Sequence, residues 1–278
     1  MIVDTHIHIY DPTRPQGVPF PDSDDAVLYR RVLPEDYKAL AVPEGVTGTI
    51  IVEASVWAED NQWVLDVIAD DPFVLGLVGN LDPRADDFGD LLDRFAPSPL
   101  FLGIRPRTYP WERGDLDVMA KTFEKLVAHD LELDSGINES TIEIAKRLPE
   151  LRIVINHCGN IPADGNPVDP EGLKLMQRAA ECPNVFCKVS GLMDLRCKIR
   201  PAPTDVAFYT PVLDALWDMF GEDRVIYGSD WPVLDYSERT YADAQNLVQT
   251  YFAQKGEDVL EKYFWKNAKK AYKWIDRG

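Results

Sequence analysis

A chain of 278 residues, 45% hydrophobic and 27% charged, is long and apolar enough to bury a sizeable core. Its net charge of −18 at pH 7 argues against the electrostatics of a nucleic-acid binder, and no apolar run approaches the roughly 18 residues that cross a bilayer. Its four cysteines, Cys158, Cys182, Cys187 and Cys197, show no CxxC or framework spacing, so they read as reduced thiols and not as a disulfide scaffold.

The chain begins Met1-Ile2-Val3 and runs straight into an apolar segment with no charged leader before it, so a cytoplasmic location is expected. Short apolar runs then recur: Ile2–Ile9, Val46–Glu53, Val74–Leu81, Leu100–Arg105, Leu131–Ser135, Arg152–His157, Val185–Val189 and Arg224–Tyr227. Continuous runs of this kind predict parallel strands covered on both faces. Between them Asn61–Ala69, Leu116–His129, Ser140–Leu148, Thr210–Phe220 and Tyr241–Lys255 predict helices, with Asn138-Glu139-Ser140 supplying cap residues for the third. Lys262–Ile275 carries an aromatic stripe, Tyr263, Phe264, Tyr272 and Trp274, that reads as core. His129 falls at a helix C-terminus. Eight strand signals alternating with helices predict one α/β domain over 1–278, a distorted TIM (β/α)8 barrel. Asp11–Pro43 and Arg196–Pro211 are too irregular for the barrel itself; both follow strands, where barrel active sites are built, and are expected to wall the substrate.

In such a barrel the C-terminal ends of the strands line the active site. His6 and His8, two residues apart on the first strand, face the same way. Arg105-Pro106-Arg107 ends the fourth run, Asn156-His157-Cys158-Gly159 the sixth, and Gly228-Ser229-Asp230-Trp231-Pro232 the eighth; Lys188 and Ser190 sit at the seventh. Three of the four histidines, two arginines and an aspartate therefore converge. Cys158 is read as packing, not as a nucleophile.

Asp4-Thr5-His6-Ile7-His8, Asn156-His157-Cys158-Gly159, Cys187-Lys188-Val189-Ser190-Gly191-Leu192 and Gly228-Ser229-Asp230-Trp231-Pro232 resemble the amidohydrolase superfamily. The closer likeness is to the amidohydrolase-2 branch of sugar lactonases and 2-pyrone-4,6-dicarboxylate lactonases, and it spans essentially the whole chain. The resemblance implies a barrel hydrolase acting on a cyclic ester. The chain departs from the wider superfamily in offering Arg105 and Arg107 on strand four, and Glu132, Asp134 and Ser135 on strand five, where many metal-dependent members carry bridging ligands. A two-metal centre is therefore not expected. His6, His8, His157 and Asp230 suit one divalent ion, zinc by their donor chemistry, while the lactonase branch also implies metal-independent catalysis by the same cluster.

The expected reaction is attack of water on a lactone carbonyl, the lactone being carboxylated or sugar-derived, with a small molecule as the only expected partner. Asp230 is the candidate general base. His6, His8 and His157 polarise the carbonyl directly or through a metal. Arg105 and Arg107 are suited to a substrate carboxylate, Lys188 in the substrate-binding site to a buried charge partner for a site carboxylate, and Trp231 to a stacking wall. Competing readings are a metal-dependent decarboxylase or amide hydrolase of the same superfamily, and a non-catalytic binding barrel.

Overall fold

The computed structural model describes residues 1–106 and 115–277. Each apolar run contains one strand: β1 Val3–Ile7, β2 Gly48–Val52, β3 Val74–Gly79, β4 Phe101–Ile104, β5 Glu132–Ser135, β6 Ile153–Ile155, β7 Val185–Val189 and β8 Val225–Tyr227. Neighbours in sequence are neighbours in one parallel eight-stranded sheet. Beyond the strand ends the seam between β8 and β1 is drawn together by Asp230 N–H donating to His6 O at 2.9 Å and His8 N–H to Trp231 O at 2.8 Å. This is the α/β barrel the sequence predicts.

Alternation along the strands divides the apolar residues in two. Val3, Ile50, Val52, Val78, Leu102, Val154 and Ile226 fill the barrel interior, while Ile51, Leu77, Ile153 and Ile155 pack outward on the helices. The helical layer comprises α1 Pro34–Ala41, α2 Glu59–Ile68, α3 Phe88–Phe95, α4 Leu116–Ala128, α5 Glu139–Arg147, α6 Pro170–Ala180, α7 Val206–Phe220, α8 Tyr241–Ala253, α9 Glu257–Glu261 and α10 Asn267–Tyr272. Asn138 caps α5, accepting from Thr141 N–H at 3.0 Å. His129 is the C-cap of α4.

Four described helices, α1, α3, α6 and α9, lie where the sequence signals none. α1 begins at Pro34 inside the irregular first segment; a proline at the first helical position keeps its fixed φ and has no missing bond to regret. α3 and α6 are interrupted by charges and bury only part of one face, and the short α9 buries only Val259. α7 starts at Val206, before the predicted Thr210, and carries Pro211 inside it. Asp205 caps it through Ala207 N–H, and Tyr209, Val212 and Leu213 are buried, which together offset the bond lost at proline. The aromatic stripe is buried as expected, but it spans a π turn at Lys262–Lys266 followed by α10. Ala268, Ala271, Tyr272 and Trp274 join the interior cluster with Val3, Ile50 and Leu102, so this segment plugs the end of the barrel where the strands begin. Among the described residues no helix is long and apolar enough to cross a membrane.

Candidate active site

At the other end of the barrel, β1 carries one extra residue: between Asp4 and Ile7 it advances three positions while β2 advances two, from Thr49 to Ile51. The bulge switches which residues face inward, since Val3 lies in the interior cluster and Ile7 in the outer one. His6 and His8 then share the interior. Asp4, turned outward, fixes this corner: its Oδ1 accepts from His6 N–H at 3.1 Å and Ser229 N–H at 2.9 Å, and its Oδ2 from the hydroxyls of Tyr37 at 2.8 Å and Tyr241 at 3.1 Å.

Asp230 sits at φ 66°, a left-handed conformation that aspartate tolerates better than most residues. Its Oδ1 is 3.4 Å from both His6 Nε2 and His8 Nε2, and its Oδ2 is 3.7 Å from His157 Nδ1. The four predicted residues of the cluster are thus brought together. His157 opens a left-handed turn with Cys158, Gly159 and Asn160 (φ 51°, 56°, 59° and 64°), backbone strain of a kind that collects at functional sites. Cys158 is buried against the helical layer and burial pushes its thiol up to about 12, so the packing reading stands.

The hydrogen bonds assign the imidazole protons. His8 Nδ1 lies 2.9 Å from the Val52 carbonyl and so carries the proton, which leaves Nε2 as its lone-pair nitrogen. Arg105 donates to His157 Nε2 at 3.4 Å, placing that ring's proton on Nδ1 beside Ser190 Oγ at 3.0 Å. Lys188 approaches His6 Nδ1 at 3.3 Å. Burial, with the charge of Lys188 behind it, holds His6 well below the ordinary histidine range; burial and then Arg105 do the same to His157. Asp230 moves the other way: burial pushes its carboxyl up to about 7, against the opposing pull of Asp194, Arg105 and Lys188.

His8, Arg105, His157 and Asp230 line a cavity of about 280 Å³ whose apolar wall includes Phe20, Leu195 and Val233. Phe20 comes from the irregular segment after β1, which therefore walls the site as expected; Leu195 precedes the second irregular segment. Two expected substrate contacts fall elsewhere. Lys188 is completely buried below the cavity, donating to Asp134 Oδ2 at 2.8 Å, because its position on β7 points it into the barrel interior. Trp231 is also buried, its ring centroid 5.5 Å from that of Tyr37, because the turn at Asp230 swings it outward to the helices. Arg107 lies outside the described residues. Three residues carry weight that sequence reasoning missed: Asp4, Asp194 and Asn156. Asp194 is a buried carboxyl against Asp230, held well above its usual range by burial and by that neighbour's charge. The DxHxH pattern signals the first; nothing local separates the other two from ordinary loop polar residues.

His6, His8 and Asp230 place one donor atom each within 4.8 Å of one another. His6 Nε2 and Asp230 Oδ2 are buried with no hydrogen-bond partner, and His8 presents its lone pair at Nε2. The trio therefore fits a single divalent ion. His157 stands outside it, its ring nitrogens turned to Ser190 and Arg105.

Residues 3–274 match the family model described as Amidohydrolase, and the chain belongs to that family. It is 33% identical over 238 residues to an L-fucono-1,5-lactonase of Burkholderia ambifaria, covering 83% of this chain and 80% of the relative. It is 26% identical over 244 residues to a 4-sulfomuconolactone hydrolase of Hydrogenophaga intermedia, covering 84% and 75% of the two chains. Among solved structures, a zinc-bound amidohydrolase from Burkholderia multivorans superposes with a TM-score of 0.84 at 22% identity, over 99% of this chain and 100% of that one. That last likeness shows the shared barrel.

Proposed function

We propose that the protein hydrolyses the ring ester of a small lactone, sugar-derived or carboxylated. The observation that carries this is Asp230: a buried carboxylate pushed up to about 7, beside three imidazoles on a cavity of about 280 Å³. A base with that affinity for protons suits catalysis near neutrality. The names of the relatives, both lactone hydrolases, support the same reaction.

In the reading offered here, Asp230 takes a proton from water as the water oxygen bonds to the carbonyl carbon. The tetrahedral oxyanion is met by Arg105, the cavity-lining donor that is charged whatever the histidine tautomers. Collapse breaks the ring C–O bond, and the leaving oxygen recovers the proton from Asp230, giving a hydroxy acid. His157 holds Arg105 in place, and Lys188 positions His6 from below. A divalent ion, zinc by its donor set, would be held by His6, His8 and Asp230 and would supply Lewis-acid polarisation of the carbonyl. A metal-bound imidazole ordinarily donates its other N–H to an acceptor, whereas His6 faces the Lys188 ammonium. The site is therefore expected to hold its ion weakly.

The test is a panel of lactones, with matched amides and aromatic acids, assayed with and without chelator. Lactone turnover by the wild type, reduced about 10³-fold in Asp230→Asn with an unchanged melting temperature, is the expected result. Turnover of acids alone, lost on chelation, would replace this reading with a decarboxylase.

A further inference from the structure

The reaction cavity adjoins a second lobe of about 280 Å³, lined among the described residues by Asn138, Asn156 and Asn160 together with Arg105 and His157, which also line the first. Asn156 follows β6, where Val154 faces the interior and Ile155 the helices; alternation aims Asn156 inward. It is 5% exposed, and neither Oδ1 nor Nδ2 has a hydrogen-bond partner. A buried carboxamide left unpaired at both atoms is costly in a folded protein and points to a missing partner.

The chemistry of that partner follows from the amide. A hydroxyl accepts from Nδ2 and donates to Oδ1, satisfying both atoms; a carboxylate only accepts, and would face Oδ1 with a second negative oxygen. Asn138 Oδ1 is already taken by Thr141 N–H at 3.0 Å, and Asn160 Oδ1 by Arg196 at 2.8 Å, so these two amides keep only Nδ2 donors, which serve either ligand, and the discrimination rests on Asn156. The Arg105 charge is shared with Glu53, 3.8 Å away. Arg105 is the one cation among the described lining residues, and Glu53 and the oxyanion of the proposed reaction already engage it.

We propose that Asn156 is a specificity-determining residue, binding one substrate hydroxyl as donor and acceptor at once, in a lobe that receives the hydroxylated flank of a neutral lactone. This rests on the lactonase reading and chooses between its two substrate classes. The test compares polyhydroxylated lactones, the same lactones deoxygenated at single positions, and carboxylated lactones, on the wild type and on Asn156→Ala. The wild type should favour a hydroxylated lactone over one of its deoxy forms by about 100-fold in kcat/KM, the scale of leaving one buried polar group of the site unsatisfied. In Asn156→Ala that ratio should collapse towards unity. Because both substrates meet the same preparation, loss of folded protein does not alter the ratio, and Asn156→Ser serves if the alanine variant is insoluble. An unchanged ratio in the variants, or a wild type that prefers carboxylated lactones, overturns the assignment while leaving lactone hydrolysis intact. A wild type inactive on every lactone overturns the lactonase reading and this assignment together.

Discussion

Asp230 and Lys188 are both buried, yet they depend on burial in opposite ways. For Asp230 burial raises the pKa to about 7, and a general base works only when deprotonated. kcat/KM should therefore fall as pH drops below about 7 and level off above it. A profile flat from pH 5 to 8 would remove Asp230 as the base. Lys188 is held by Asp134, and the two side chains are completely buried. Removing one partner of such a pair leaves an uncompensated charge, so Lys188→Met should cost about 3–5 kcal/mol in denaturant unfolding. Adding Asp134→Asn should restore part of that loss; strict additivity would show that the pair is not coupled.

The site is carried by irregularities in otherwise regular elements. The β1 bulge turns His6 and His8 inward together, and the left-handed turn after β6 delivers His157. Glycine suits position 159 in that turn: at φ +59° an added Cβ would lie 2.1 Å from Met176 Sδ, so that side chain would have to move. Gly159→Ala should cost about 2–4 kcal/mol, and the displaced turn should depress kcat as well. Near-normal stability would mean that α6 yields easily. The strands were legible because runs such as Thr49-Ile50-Ile51-Val52, buried on both faces, need apolar residues throughout. α1, α3 and α6 were not, since each buries two or three residues of a charged segment. His6, His8, His157 and Asp230 stood out because histidine is scarce in this chain and each ends a strand. Asn156 and Asp194 did not, because a polar residue after a strand reads as a cap or turn until its missing partners are visible. Trp231 reads as a cavity wall from the sequence because no propensity reports the left-handed turn at Asp230 that redirects it.

At the scale of the whole molecule, the barrel is closed at one end by its own C-terminal segment. Deleting 267–278 should expose Val3, Ile50 and Leu102 and leave Asp134 without its Tyr272 hydroxyl, 2.9 Å away. Loss of cooperative unfolding in the truncated chain is the expected result; a folded, active truncation would assign the plug a lesser part. That hydroxyl has a consequence for folding. Tyr272 supports Asp134, Asp134 holds Lys188, and Lys188 reaches His6, contacts that span 138, 54 and 182 residues of sequence. The imidazole of His6 is thus tied, through the buried Lys188–Asp134 pair, to a tyrosine of the segment that plugs the opposite end of the barrel. Because each link joins segments distant in sequence, the relay can close only after the strands have paired, and its formation is expected among the slower steps of refolding.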